Sequence, residues 1–276
     1  AFAVVGILGL VLAGWGSANK YGVMGGLRSA AQLISYEIPI IMVIVSVAML
    51  AQSLDLREVV NGQNPELGVV VDGQWHLPYA LIMPLGLVIF FIAGLAEVGR
   101  TPFDIYFAES EIVGGPFIEY SGAHWSIFFL GEYINTFLVA ALVAIFFLGG
   151  WSGPLLPELA WFLIKCYAVI LVIFWLRGTL PRLRIDQLMA FGWKWLIPLS
   201  FAVFIAAAAQ LFYGWPQGAL TITSLVILAI PGALQLRTQR NPARELGARY
   251  AANAVVVTAQ ARPEPEAPET PEGANA

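Results

Sequence analysis

The 276-residue chain is 59% hydrophobic and 12% charged, carries a net charge of −4 and has a mean hydropathy of +0.76. With nine Trp and seventeen Phe, this composition excludes a soluble globular domain. The single cysteine, Cys166, lies inside an apolar segment, which leaves neither a disulfide framework nor a cysteine-ligated cluster. No basic stripe is interleaved with aromatics, so nucleic acid is not a partner.

In chain order, seven apolar segments are candidates to cross a bilayer, each measured against the roughly 20 residues a helix needs. The first runs from Ala1 to about Trp15. No positive region precedes it, so it is not read as a signal peptide. Gly16 to Arg28 is read as a short Gly-rich connection. Span two, Ser29 to Ala51, holds Glu37 about 12 Å into its helix, where an unpaired charge is costly. Arg28, Gln32 and Tyr36 follow one another at i+4 steps and form a polar stripe. Gln52 to Leu77 is a polar connection containing Gln63. Span three is Pro78 to Glu97. Span four, about Ser126 to Leu148, carries Glu132 near its start, and span five, Glu158 to Leu176, carries Lys165. Span six is about Trp195 to Phe212 and span seven about Ala219 to Leu236. The expected fold class is therefore all-α, a polytopic transmembrane helix bundle over residues 1–236. A basic membrane-surface segment (237–261) and a Pro/Glu/Ala-rich disordered tail (262–276) follow.

Between spans three and four, Glu97 to Tyr120 concentrates the acids: Glu97, Asp104, Glu109, Glu111 and Glu119 face a single cation, Arg100. Thr101 as N-cap, Pro102 at the first helical position and Asp104 at the third predict a short amphipathic helix, stopped by Gly114-Gly115-Pro116. The same composition also fits a solvated acidic loop. Lys and Arg set the orientation. Lys20, Arg28, Arg100, Arg177, Arg182, Arg184, Lys194 and four later arginines fall on one side of the spans, and the other side has Arg57 alone. That places the acidic stretch, Ser121 and the C-terminus in the cytoplasm and Gln63 outside.

No Ser/His/Asp set, metal-ligand spacing or phosphate loop is present. What the sequence does hold is a set of ionisable groups at or near membrane depth: Glu37, Glu97, Asp104, Glu109, Glu111, Glu132 and Lys165. Neighbouring acids titrate as a coupled set, so a change of charge at one end moves protons along it. Glu37, Glu97 and Glu132 lie towards the cytoplasmic ends of helices running in alternating directions, which lets them converge.

Three motifs carry a resemblance. The first is Ala96-Glu97, Arg100-Thr101-Pro102-Phe103-Asp104, Glu109-Ser110-Glu111 and Glu119-Tyr120. The second comprises Gly14, Trp15, Ser17, Lys20, Tyr21, Gly25 and Arg28. The third is Arg177, Pro181, Arg182, Arg184, Asp186, Gln187, Met189, Trp193 and Lys194. Over about Gly14 to Gln210 the chain resembles the membrane subunit at the junction of the two arms of respiratory complex I. That protein is called the H subunit in bacteria and subunit 1 in mitochondria. In the family two further spans precede the third, so the chain is expected to begin inside that third span. Phe107 stands where the family commonly has a further glutamate, so Asp104 and Glu111 are expected to be more sensitive to replacement here than in relatives that keep it.

The resemblance implies a subunit of a proton-translocating NADH:quinone oxidoreductase in the lipid bilayer of a bacterial inner membrane. It would have no redox centre of its own, a quinone (ubiquinone or menaquinone) as substrate, and other complex I subunits as partners, those holding NAD, flavin and iron–sulfur clusters among them. It also implies a quinone chamber formed in part by Arg28, Arg100, Phe103, Glu119, Tyr120, Arg177, Arg182, Arg184 and Asp186. The arginines are read physically as a short loop whose guanidiniums clamp carboxylates, with Asp186 in an internal ion-pair network. Two other classes fit the residues. A secondary ion transporter predicts paired repeats, which the two halves do not display. A membrane subunit of an energy-converting hydrogenase would use the loop for coupling without quinone. A scaffold would not keep charges that are costly to bury.

Overall fold

The computed structural model describes residues 3–63, 70–71, 74–75, 78–105, 114–153, 156–215, 218–227 and 229. All that follows concerns the compact unit Ala1–Leu228. The basic segment and the tail expected at 237–261 and 262–276 lie outside the described residues.

The chain opens as a hairpin of two apolar helices, α1 (Ala3–Gly16) and α2 (Lys20–Ala51). The 32-residue α2 corrects the expectation of a Gly-rich connection up to Arg28, because it begins nine residues before Ser29. Asn19 caps it, its side-chain oxygen accepting the Tyr21 N–H at 3.1 Å. The glycines here serve packing, since a Cβ on Gly25 would come within 2.7 Å of the Gly115 Cα. Small residues let helices approach closely where no hydrophobic effect drives them together. Glu37 consequently lies about 26 Å along its helix rather than about 12 Å.

The short α3 (Leu56–Asn61) folds back onto the bundle with Val59 and Val60 each 1% exposed. A two-residue antiparallel pair follows, β1 (Val70–Val71) with β2 (Gln74–Trp75). Span three is broken into α4 (Tyr79–Ile82) and α5 (Pro84–Val98). Met83, the residue before Pro84, takes φ −132° and ψ 65°, as the ring of a following proline pushes its neighbour out of the helical region. Then come a 3₁₀ turn (Gly115–Phe117), α6 (Ala123–Phe147), α7 (Glu158–Thr179) and α8 (Ile185–Phe191). A π-turn at Gly192–Leu196 joins α8 to α9 (Ile197–Tyr213), and the apolar helix Gly218–Ile227, α10, closes the unit. Among the described residues, four helical stretches are long and apolar enough to cross a membrane, and three shorter apolar helices make up the remaining expected segments. Apart from the two-residue pair, the described residues form an all-helical, multi-pass membrane bundle.

At the centre α2 packs against α1, α5 and α9, α5 packs against α6, and α6 against α7. The buried core is drawn from these helices, with Tyr36, Val43, Phe90 and Phe147 at 0–1% exposure. Gln63 anchors the end of the bundle where α3 meets the start of α4 and the end of α6. The sequence places it in a polar, solvent-facing connection, yet it is 0% exposed. Its nitrogen donates to the carbonyls of Val59 (3.1 Å) and Ile145 (3.0 Å), and its oxygen accepts the N–H groups of Tyr79 (3.3 Å) and Gly149 (3.2 Å). A buried amide with all four partners replaces water for four backbone groups, which explains why a polar residue of a polar connection is drawn inside.

Candidate functional site

Three helices each deliver one carboxylate to a common cavity of about 610 Å³. Glu37 follows the fully buried Tyr36 on α2, Glu97 is the penultimate residue of α5, and Glu132 lies nine residues into α6. On the α1 side Gly6 and Gly9 line the space, and a Cβ on either would meet nothing within 4 Å. Glu37 and Glu97 feel each other's charge. Arg100, Asp104 and Arg177 are the charged groups whose fields reach Glu132. A proton gained at Glu37 therefore alters the field at Glu97, and one gained at Asp104 alters it at Glu132.

Gly99 sets the geometry of the turn after Glu97. Its φ of 69° ends α5 in the left-handed conformation that glycine adopts without strain. The chain then swings Arg100 onto α6, where its Nε lies 3.1 Å from Glu132 Oε1 with the two side chains 12% and 9% exposed. The contact is an ion pair rather than an aligned hydrogen bond, because that oxygen has no hydrogen-bond partner among the described residues. The guanidinium also sits 4.9 Å from the centre of the Tyr133 ring.

The helix expected to start at Pro102 does not start there. Residues 101–105 form a turn, with the Phe103 N–H donating to Arg100 O (2.8 Å) and the Ile105 N–H to Phe103 O (3.0 Å). The Pro102 carbonyl accepts the Leu183 N–H at 3.0 Å, and burial of Phe103 and Ile105 at 5% and 3% holds the turn inward. Phe103 stacks obliquely on Tyr36 at 5.8 Å. Asp104 is half-buried. Glu109 and Glu111, with Phe107, lie outside the described residues.

The other expected site residues are dispersed. Glu119 is exposed and accepts from Asn19 Nδ2 at 3.0 Å, while the Tyr120 hydroxyl donates to Ala13 O at 3.1 Å; together they bind the turn of the α1–α2 hairpin. Arg28 is half-buried on α2, and Arg177 and Arg182 are exposed. The arginine motif is a loop only over 180–184, because Arg177 sits in the last turn of α7 and Ile185 onward is helical. Arg184 and Asp186 form no internal network: their contact is 3.3 Å, with both side chains 76% exposed, and exposed pairs contribute little in water. Lys165 is remote from the cavity. Its ammonium donates to Leu148 O and Ser152 O, both at 2.8 Å, so the cation satisfies the carbonyl of the α6 C-cap residue and one in the turn beyond it. That end lies about 24 Å along α6 from Glu132.

Two residues absent from the expected site organise it. Gln32 donates to Ala96 O (2.8 Å) and Phe103 O (2.9 Å), and the Tyr36 hydroxyl donates to Leu188 O (3.0 Å). Their i+4 spacing is the signal in the sequence; their partners are not legible there. Among the described residues no group of His, Cys, Asp and Glu is placed to hold a metal ion.

Residues 1–208 match the family model described as NADH dehydrogenase, so the similarity begins at residue 1 rather than near Gly14. Over 211 residues the chain is 45% identical to the H subunit of NADH-quinone oxidoreductase from Dehalococcoides mccartyi (strain CBDB1), covering 76% of this chain and 56% of that protein. It is 45% identical over 213 residues to an H subunit of the same enzyme, numbered 2, from Syntrophobacter fumaroxidans (77% and 61%). It is 44% identical over 219 residues to the H subunit from Bacillus cereus (strain AH187) (76% and 62%). The chain thus spans less than two thirds of the length of these curated relatives.

Proposed function

The chain belongs to the NADH dehydrogenase family, whose relatives are named as the H subunit of NADH-quinone oxidoreductase, and from that membership we propose a coupling role. In this reading the protein walls part of the quinone chamber and passes the charge change of quinone reduction into the membrane as proton movement. The observation that carries it is the meeting of Glu37, Glu97 and Glu132, from three helices, at one cavity, with Arg100 paired to Glu132. Buried acids in a membrane bundle are costly and are kept where protons or ions travel. Arg100 connects the cavity to the turn that carries Phe103 and Asp104, through its pair with Glu132. Quinone is the substrate, and NAD, flavin and iron–sulfur clusters belong to partner subunits.

Purification of the tagged chain from a bacterial inner membrane tests the class. The expected product contains flavin and iron–sulfur clusters and oxidises NADH in a quinone-dependent manner. A product that evolves hydrogen and ignores quinone overturns the proposal.

The orientation is tested by labelling. Asn61, in the same connection as the buried Gln63, is exposed and serves as the probe for the side expected outside. Ser121→Cys is expected to react with an impermeant maleimide only from the cytoplasm, and Asn61→Cys only from outside, with the native Cys166 silent because it is buried. Reversed labelling sinks the orientation drawn from Lys and Arg.

A further inference from the structure

Gln32 is 1% exposed, and its two bonds fall on the carbonyls immediately before Glu97 and Asp104. Both carbonyls also close local turns: Ala96 O accepts the Gly99 N–H at 3.2 Å and Phe103 O the Ile105 N–H at 3.0 Å. The amide therefore bridges the point where the chain leaves α5 to the point where it leaves the Arg100 turn. Two carbonyl acceptors require the NH₂ end of the amide, so its orientation is dictated by its partners. The other end, Oε1, is buried with no hydrogen-bond partner among the described residues. A leftover buried acceptor is destabilising. An apolar residue of similar size would fill the same space without that cost, so packing alone does not account for a glutamine.

We propose that Gln32 is a positioning residue, a clasp on α2 that fixes Glu97 relative to the turn carrying Arg100 and so aligns Glu97 with the Arg100–Glu132 pair. The proposal rests on the reading that Glu97 carries protons. Because α2 also supplies Glu37, the clasp registers all three carboxylates against one helix.

The test uses the purified complex carrying Gln32→Met or Gln32→Glu, with Glu97→Gln alongside. Methionine keeps the bulk and the helix propensity but donates nothing. A glutamic acid facing two carbonyls in a buried site is held in its protonated form and keeps one of the two bonds. The expected results for Gln32→Met are normal assembly, an unchanged KM for quinone and a turnover lowered about 10- to 100-fold, the effect of a sub-ångström to ångström misplacement. Gln32→Glu is expected to fall between Met and wild type. Wild-type turnover for Gln32→Met, a Gln32→Glu variant no better than Met, or a rise in KM alone overturns the clasp. Failure of both variants to assemble also overturns it and makes Gln32 a folding brace. Slow Glu97→Gln with normal Gln32→Met removes the clasp but leaves the proton route standing. Normal Glu97→Gln overturns the route, and the clasp with it.

Discussion

Arg100→Ala is expected to remove most of the assembled protein from the membrane. The Arg100–Glu132 pair is almost fully enclosed, at 12% and 9% side-chain exposure, so deleting the cation strands a carboxylate. Breaking a buried pair from one side costs about 3–5 kcal/mol, and the guanidinium's contact with Tyr133 adds about 0.5–2 kcal/mol. Against a typical total of about 5–15 kcal/mol that is a large share. The measurement is the amount of intact complex on native gels, with the thermal midpoint in detergent. A paired variant, Arg100→Met with Glu132→Gln, removes both charges and is expected to recover assembly while quinone-linked turnover stays low. Full recovery of both would make the pair a brace and take Glu132 out of the proton route. Wild-type stability for Arg100→Ala would show that the cavity admits enough water to solvate the carboxylate alone.

Glu97→Gln and Glu37→Gln are expected to slow quinone reduction and proton translocation together, by about 10²-fold or more, the order that a positioned proton-transfer group contributes. Glutamine keeps shape and hydrogen bonding and removes only the exchangeable proton. Because Glu37 and Glu97 feel each other's charge at one cavity, the double variant is expected to lose little more than either single one, as groups acting as a unit are not additive. Electron transfer from NADH to a hydrophilic acceptor, which bypasses the membrane, is expected to stay normal. Single variants within about twofold of wild type in both rates would reduce these acids to packing residues. Additive losses would place them on separate routes.

Much of this protein is legible in its sequence, because a bilayer enforces simple rules. Apolar runs of about 20 residues become helices, since lipid satisfies no backbone group, and acids inside such runs stand out as costly. Glu37, Glu97 and Glu132 follow from that alone, as does the alternation of helix direction that brings them to one level. Partners are decided only in three dimensions. The stretch Gly16–Arg28 looks like a connection by composition, and it folds largely as helix because α1 and the Gly115 turn need its small residues for close approach. Thr101-Pro102 carries the chemistry of a helix start, but the Pro102 carbonyl is taken by Leu183. Lys165 has the composition of a relay and the position of a helix cap. Local sequence specifies which groups need a hydrogen bond or a counter-charge. Which group supplies it is settled by packing between segments 64 or 71 residues apart, as the two bonds of Gln32 illustrate, and no local pattern encodes that distance.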